Sequence, residues 1–228
     1  MQTKPLGQKR WITHLLLASM LSVLDILVTS LFPAGKQGEI LLILLGYLSL
    51  FLLGVTLLIG PLNLLRQRRN PVNIDLRRDV GIWAGITGCL HVLLVLRGSL
   101  PGNQILLYFL RRDQGGYAPL LSAYGLSNDA GLFATLFLLL LLALSNTLTL
   151  RLLKGKRWKW LQRSTYFLVL LALAHTFGFQ YLNLRGPLWI GVVISLSMLV
   201  LVCQGWGIAL MLARRKRARR VVEDYIVI

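Results

Sequence analysis

The sequence predicts an all-α integral membrane protein, a six-helix transmembrane bundle with both termini cytoplasmic. Hydrophobic residues make up 56% of the 228 positions, and the mean hydropathy is +0.67. Six apolar stretches approach the length of about 20 residues that a membrane-spanning helix needs. Basic residues collect in alternate connecting segments. Only 14% of the residues are charged, which excludes an ordinary soluble domain and a disordered chain.

The six predicted spans follow one another with mostly short connections. The first carries Asp25, which could transfer protons, pair with an outer arginine or simply mark the membrane boundary. This first span is too long for a cleavable signal peptide. The second is uncharged and is expected to break at Gly60-Pro61. The predicted organisation is a cytoplasmic N-terminus (1–10), a membrane domain (11–213) with spans at about 11–32, 40–62, 80–96, 130–150, 164–184 and 188–213, and a basic cytoplasmic tail (214–228).

The distribution of basic residues predicts the orientation in the membrane. Twenty of the 25 Lys and Arg residues fall on the side of the two termini, which the positive-inside rule places in the cytoplasm. The net charge of +17 therefore indicates contact with membrane lipid and not with nucleic acid, because each basic cluster is a short loop or tail beside a span. We expect a bacterial inner (plasma) membrane location. The other five basic residues are Lys36, Arg97, Arg111, Arg112 and Arg185.

Two histidines lie inside predicted spans, where an ionisable side chain suggests function. His91 lies 13 residues beyond Arg78, and His175 lies 12 beyond Arg163. Each is therefore about 18–20 Å from the cytoplasmic end of its helix. At this shared level the two imidazoles could ligate a haem iron from opposite sides. The alternative is that each histidine hydrogen-bonds a neighbouring helix. His14, at the inner end of the first span, is expected to be interfacial.

Small residues surround both histidines. Gly81, Gly85 and Gly88 form a strip along the third span, while Ala172 and Gly178 flank His175 at three positions before and after it. The strip could leave room for a macrocycle. It could equally let two helices pack closely.

Several of these segments resemble the ferric reductase-like transmembrane domain family of six-span b-type cytochromes. The similarity covers roughly residues 57–181. Within the family, the pattern is closest to bacterial haem-binding subunits of methionine sulfoxide reductase systems. The segments that carry the resemblance are LLIGPL at 57–62, RRDVGIW at 77–83 leading to Leu90-His91, LSN at 144–146, and GKRW at 155–158 leading through Tyr166 to His175.

The resemblance also implies how many haems are bound. Two-haem family members carry two histidines, about 13 or 14 residues apart, on each of spans three and five. His91 and His175 match the outer pair, whereas the inner positions hold Arg77 and Arg78 on one span and Gln162 on the other. The family pattern therefore predicts one haem b, with His91 and His175 as its metal ligands.

Three arginines are further candidates for cofactor binding. In the related methionine sulfoxide reductase subunits, an arginine pair at the position of Arg77-Arg78 is linked to flavin binding, which suggests FMN here. Guanidinium groups at a helix N-terminus suit a flavin phosphate, but also suit lipid phosphate. Arg97, six residues beyond His91, is either a haem-propionate partner or a snorkelling interfacial residue.

Together these features predict an electron-transfer subunit of an oxidoreductase system, not a self-contained enzyme. Electrons would pass from a cytoplasmic-side flavin, flavoprotein or quinol, through one bis-histidine haem, to an outer-side acceptor protein or ferric chelate. The basic tail is too short for a nucleotide-binding domain, so the donor is expected to be separate. The alternative is a structural or assembly subunit of a larger membrane complex that keeps the family fold without redox activity.

Overall fold

The computed structural model describes residues 6–65, 74–99, 105–113, 115–182 and 187–226. Six helical segments are long and apolar enough to cross a membrane. This confirms the predicted all-α, six-span membrane fold. With six spans, the first described helix begins and the last one ends at the same end of the bundle, which is called the end of the termini below. The helices are α1 (Leu6–Leu31), α2 (Ala34–Leu65), α3 (Ile74–Ser99), α4 (Ala123–Leu144), α5 (Thr147–Gln162), α6 (Ser164–Leu182) and α7 (Pro187–Ile226).

Two antiparallel helix pairs form the centre of the bundle, α2 with α3 and α4 with α6. Helix α7 packs on the outside of α2, and α1 packs on α2 and α3. Most of the apolar side chains of α1, such as Trp11 and Leu16, are exposed to the surroundings of the bundle. The histidines belong to different pairs, because His91 lies on α3 and His175 on α6.

The main apolar core lies between the level of the histidines and the end of the bundle that carries the termini. Its residues come from all four central helices and are all less than a tenth exposed: Leu52, Leu53, Ile59, Val80, Ala84, Ala134, Leu138, Leu141 and Leu168. These residues form one connected apolar core in this half of the bundle.

The expected break at Gly60-Pro61 is wrong, because α2 continues through Pro61 to Leu65. Proline is tolerated inside a membrane helix where neighbouring helices accommodate the altered backbone. Here α7 lies directly against it: a Cβ added at Gly207 would stand 3.2 Å from Cβ of Pro61. The local helix-breaking signal is therefore overridden by helix–helix packing.

The fourth membrane helix begins and ends earlier than the sequence predicts. Helix α4 starts at Ala123, where the side chain of Ser122 accepts a hydrogen bond from the Gly125 amide. It ends at Leu144. Asn146 then caps α5 by accepting from the Thr149 amide at 2.7 Å, and Trp158 donates its indole N–H to the Leu144 carbonyl at 2.9 Å. Residues 145–150 thus belong to a polar turn and a separate basic helix.

At the opposite end of the bundle from the termini, a small antiparallel hairpin precedes α4. Its strands are β1 (Leu110–Asp113) and β2 (Gly116–Pro119). The buried side chain of Asn128 on α4 donates to the Tyr108 carbonyl at 3.1 Å. The ring of Tyr108 stacks on that of Tyr124, which in turn meets Phe179 of α6. These contacts fix the hairpin segment to the pair of helices that carries His175.

The segment predicted as a basic tail is not separate from the last span. Helix α7 runs without interruption from Pro187 to Ile226. The portion suited to crossing the membrane is Ile190–Ala213. The remaining residues 214–226 extend the same helix beyond it.

Candidate haem-binding site

The structure brings His91 and His175 together across the gap between the two helix pairs. Their ring centroids are 6.3 Å apart and the ring planes are inclined by 82°. Both side chains are half-buried. The two imidazoles therefore lie next to each other inside the bundle, at the shared level that their positions in the sequence predicted.

The separation of the two rings fits a single metal ion between them. A metal–imidazole bond is about 2.0 Å, and the ring centroid lies about 1.1 Å behind the ligating nitrogen. Two imidazoles on opposite sides of one ion would then have centroids about 6.2 Å apart, which agrees with the 6.3 Å observed. The residues present therefore fit the bis-histidine ligation of a haem iron.

Each imidazole is oriented by a backbone carbonyl of the partner helix in its own pair. Nδ1 of His91 lies 2.8 Å from the Leu42 carbonyl oxygen on α2, and Nδ1 of His175 lies 2.8 Å from the Ser127 carbonyl oxygen on α4. A carbonyl only accepts, so Nδ1 carries the proton and donates in both cases. This tautomer leaves the Nε2 lone pair for a metal, which is the usual arrangement of a metal-binding histidine.

A glycine lies one helical turn after each of these carbonyls. A Cβ added at Gly46 would stand 3.1 Å from Nδ1 of His91, and one added at Gly131 would stand 2.5 Å from Nδ1 of His175. The rings therefore occupy space that any side chain at these positions would fill. The same support, a carbonyl and a glycine four residues later, occurs once in each helix pair.

The sequence analysis missed Gly46 and Gly131. The strip of Gly81, Gly85 and Gly88 was predicted either to leave room for a macrocycle or to let two helices pack closely, and its neighbours support close packing. A Cβ at Gly88 would meet Leu138 and Ser49, and one at Gly85 would meet Leu142. Glycines at the depth of the histidines on spans two and four were the signal that could have identified the true neighbours.

The surroundings of His175 are also close-packed. The ring of Phe179 lies 4.9 Å from it between centroids. Gly178 allows α4 to approach α6, because a Cβ there would overlap the side chain of Ser127. Ala172 packs against the apolar core. Ala172 and Gly178 were both predicted to flank His175. Of the two, Gly178 allows the close approach of α4, the helix whose Ser127 carbonyl orients the His175 ring.

Arg77 and Arg78 lie in the first turns of α3, far from the histidines along the helix axis. Both are half-buried. Nε of Arg78 is buried and has no hydrogen-bond acceptor among the described residues. Such a donor is costly to bury unless something outside the protein pairs with it.

The following residue, Asp79, belongs to a polar cluster that the sequence analysis did not detect. Its carboxylate is 1% exposed and accepts from Nε and Nη2 of Arg10 on α1, at 3.1 and 2.6 Å. Nε2 of His14 lies 3.6 Å from the same carboxylate, and Nδ1 of His14 accepts from the Trp83 indole at 2.9 Å. Both nitrogens of His14 therefore face partners on α3.

Two further candidates lie outside the central site. Arg97 is exposed near the end of α3, six residues beyond His91. Asp25 is exposed on α1, and no described basic side chain forms an ion pair with it. The position of Asp25 is that of a carboxylate at the periphery of the bundle.

Comparison with known proteins places the chain in a family. The family model "Ferric reductase like transmembrane component" matches residues 45–173, which include His91 and end two residues before His175. Three curated relatives are 31% identical over 179 residues, 76% of this chain and 76% of each relative. All three are protein-methionine-sulfoxide reductase heme-binding subunits MsrQ, from Bordetella pertussis, Bordetella parapertussis and Bordetella bronchiseptica.

No solved structure matches the chain. The family match covers more than half of its residues, and the relatives are matched over three quarters of their length. The chain therefore belongs to the ferric reductase-like transmembrane family and is an MsrQ-type member of it.

Proposed function

We propose that the protein is a membrane b-type cytochrome that passes electrons from a cytoplasmic-side donor, through one haem held by His91 and His175, to an outer-side acceptor. The observation that carries the proposal is the opposed pair of imidazoles, 6.3 Å apart, each oriented by a backbone carbonyl. The relatives named as haem-binding subunits of a reductase support it.

The haem would supply one-electron redox chemistry at its iron. His91 and His175 would hold the haem through their imidazole nitrogens, and ligation by both would exclude oxygen from the iron. The Leu42 and Ser127 carbonyls hold the rings in the metal-binding tautomer. Glycines at 46 and 131 leave the rings room to adopt that orientation. These features favour outer-sphere electron transfer over binding of a substrate at the iron.

A single haem is supported by the packing of the other half of the bundle. Leu53, Val80, Ala84 and Leu168 are buried there in continuous contact with other core residues. The positions of the missing inner ligands hold Arg77, Arg78 and Gln162. Because His14 already has partners at both nitrogens, it is a poor substitute ligand.

The cytoplasmic-side donor site is proposed at Arg77 and Arg78, with FMN as the bound flavin. The buried Nε of Arg78, which has no acceptor among the described residues, supports an anion there. The position at the start of α3 adds the favourable end of the helix dipole. A lipid phosphate has the same chemistry and is the competing occupant. A soluble flavoprotein or quinol could supply electrons to either arrangement.

The proposed orientation of the protein in the membrane rests on the excess of basic residues on the side of the termini. That side is then cytoplasmic, and the histidines lie nearer the outer face of a bacterial inner membrane. The acceptor would be a partner protein, as the word "subunit" in the relatives' name suggests, or a ferric chelate. Arg97 is proposed as a partner for a haem propionate near the outer end of α3.

A reduced-minus-oxidised visible spectrum with haem quantification tests the proposal on detergent-purified protein. We expect one b-type haem per chain, lost in His91→Ala and in His175→Ala but retained in the matched control His14→Ala. Well-folded protein without haem, made with ample haem supply, would instead favour the structural or assembly subunit.

A further inference from the structure

A buried amide with an unpaired atom lies between two of the helices that support the haem ligands. Gln180 on α6 is 2% exposed. Its Nε2 donates to the hydroxyl of Tyr47 on α2 at 2.8 Å, while its Oε1 has no hydrogen-bond partner among the described residues. Leaving a polar atom buried and unpaired costs about 1–3 kcal/mol. The position therefore needs a partner that the described residues do not provide.

The location of this amide relates it to the haem ligands. Gln180 follows His175 by five residues, or about 7.5 Å along the axis of α6, in the direction of the hairpin. Tyr47 directly follows Gly46, whose α-carbon packs against the His91 ring. The Gln180–Tyr47 hydrogen bond thus joins the helix that carries one ligand to the helix that orients the other.

The chemistry of the amide allows either a donor or an acceptor at the unpaired position. A tyrosine hydroxyl both donates and accepts. If the Gln180 amide turns by half a rotation, Tyr47 donates to Oε1 and the two N–H groups of Nε2 take the unpaired position. A buried carboxylate is the group that most needs such donors, since an unpaired charge is costly away from water.

We propose that Gln180, oriented by Tyr47, hydrogen-bonds a propionate carboxylate of the haem that His91 and His175 hold. The inference rests on the proposed function, because haem b presents two carboxylates at one edge of an otherwise apolar macrocycle. Arg97 lies six residues beyond His91, at a height similar to that of Gln180, but is exposed. The buried amide would serve the propionate that cannot reach the surface.

The test compares haem b with its dimethyl ester, which has the same macrocycle and no carboxylate. Both are titrated into the haem-free, full-length protein in detergent, and binding is followed by visible absorption. In Gln180→Leu we expect the dissociation constant of haem to rise about 10- to 100-fold, as for loss of a hydrogen bond to a charged group. Binding of the ester should not change. Tyr47→Phe should give a smaller loss of the same kind.

Gln204→Leu is the matched control, because Gln204 is a membrane glutamine on α7 that donates to the Leu57 carbonyl at 2.7 Å. It should bind haem and ester as the wild type does. Gln180→Glu keeps the size and polarity of the side chain but opposes one carboxylate with another, so it should weaken haem binding at least as much as Gln180→Leu and leave the ester unaffected.

Equal weakening of haem and ester in the Gln180 variants would overturn the inference, since it would show a packing role or a bound water only. Unchanged haem binding in Gln180→Leu would overturn it as well. A wild-type protein that binds neither haem nor ester would contradict the proposed function itself, an outcome distinct from a selective failure at Gln180.

Discussion

Gly131 lies so close to His175 that a single methyl group at this position would reach within 2.5 Å of the imidazole Nδ1. On the other helix pair, Gly46 has the same relationship to His91 at 3.1 Å. In both cases the glycine follows, by four residues, the carbonyl that orients the ring. The rings of His91 and His175 are therefore held by the same local arrangement, which occurs in both helix pairs.

Substituting Gly131 by alanine should weaken haem binding more than substituting Gly46. A contact of 2.5 Å forces the ring to move, whereas one of 3.1 Å needs a shift of only a few tenths of an ångström. We expect haem affinity to fall about 10- to 100-fold in Gly131→Ala, the range for disturbing a group that orients a metal ligand. The loss in Gly46→Ala should be smaller. The measurement is haem titration followed by visible absorption.

Gly60→Ala provides the control for this comparison. Gly60 lies on α2, as Gly46 does, and nothing stands within 4 Å of a Cβ added there. Its haem affinity should equal that of the wild type. Equal affinities in Gly131→Ala and Gly60→Ala would show that the close approach of Gly131 to His175 does not matter for the ligand.

Replacing His14 by alanine should leave haem content unchanged and lower stability. The Trp83 indole would lose its acceptor, and Asp79 would lose its second basic neighbour. Loss of one buried hydrogen bond corresponds to about 1–2 kcal/mol. Haem-to-protein ratio and thermal unfolding in detergent report the two effects separately. A drop in haem content in a variant that still folds would instead identify His14 as a ligand.

Arg78→Gln should weaken the binding of FMN if the flavin phosphate occupies the start of α3. The guanidinium of Arg78 has a buried donor for which the described part of the chain offers no acceptor. Loss of a charge-assisted hydrogen bond there corresponds to about a 10- to 100-fold change in dissociation constant. Quenching of flavin fluorescence on titration with the protein measures the dissociation constant of FMN. Lys159→Gln removes an exposed charge from the same side of the protein and serves as control. Similar effects of the two substitutions would indicate general attraction to a basic surface.

The shared level of the two proposed haem ligands could be predicted from the sequence because depth in a membrane helix follows directly from residue number. His91 and His175 were placed at one level by counting from Arg78 and Arg163, and the structure brings their rings together. The orienting carbonyls of Leu42 and Ser127 could not be predicted in this way. They depend on which helices pair and at what rotation, and a backbone carbonyl has no sequence signature.

Two other features were hidden for different physical reasons. Pro61 is a strong local signal for a helix end, but α7 packs against it and the helix continues. Arg10 and Asp79 are separated by 69 residues. Each had an adequate local explanation, Arg10 as one of the basic residues on the side of the termini and Asp79 as part of a polar helix start. Only the packing of α1 on α3 shows that the two charges belong together.

This ion pair leads to an asymmetric prediction, because its two partners are buried to very different degrees. The Asp79 side chain is 1% exposed, whereas that of Arg10 is 34% exposed. Arg10→Met would leave a buried carboxylate whose other ion-pair neighbour among the described residues is His14. Removal of one partner of a buried pair typically destabilises by about 3–5 kcal/mol. Asp79→Asn leaves a guanidinium that water can reach, so the loss of stability should be clearly smaller.

Thermal or chemical unfolding of the detergent-solubilised variants measures this difference, and the double variant Arg10→Met/Asp79→Leu completes the comparison. Replacing both partners by apolar residues removes the uncompensated charge, so the double variant should be more stable than Arg10→Met alone. If Asp79→Asn proves as destabilising as Arg10→Met, the carboxylate is not the charge that must be neutralised. The attachment of α1 to α3 would then depend on the geometry of the whole hydrogen-bonded cluster.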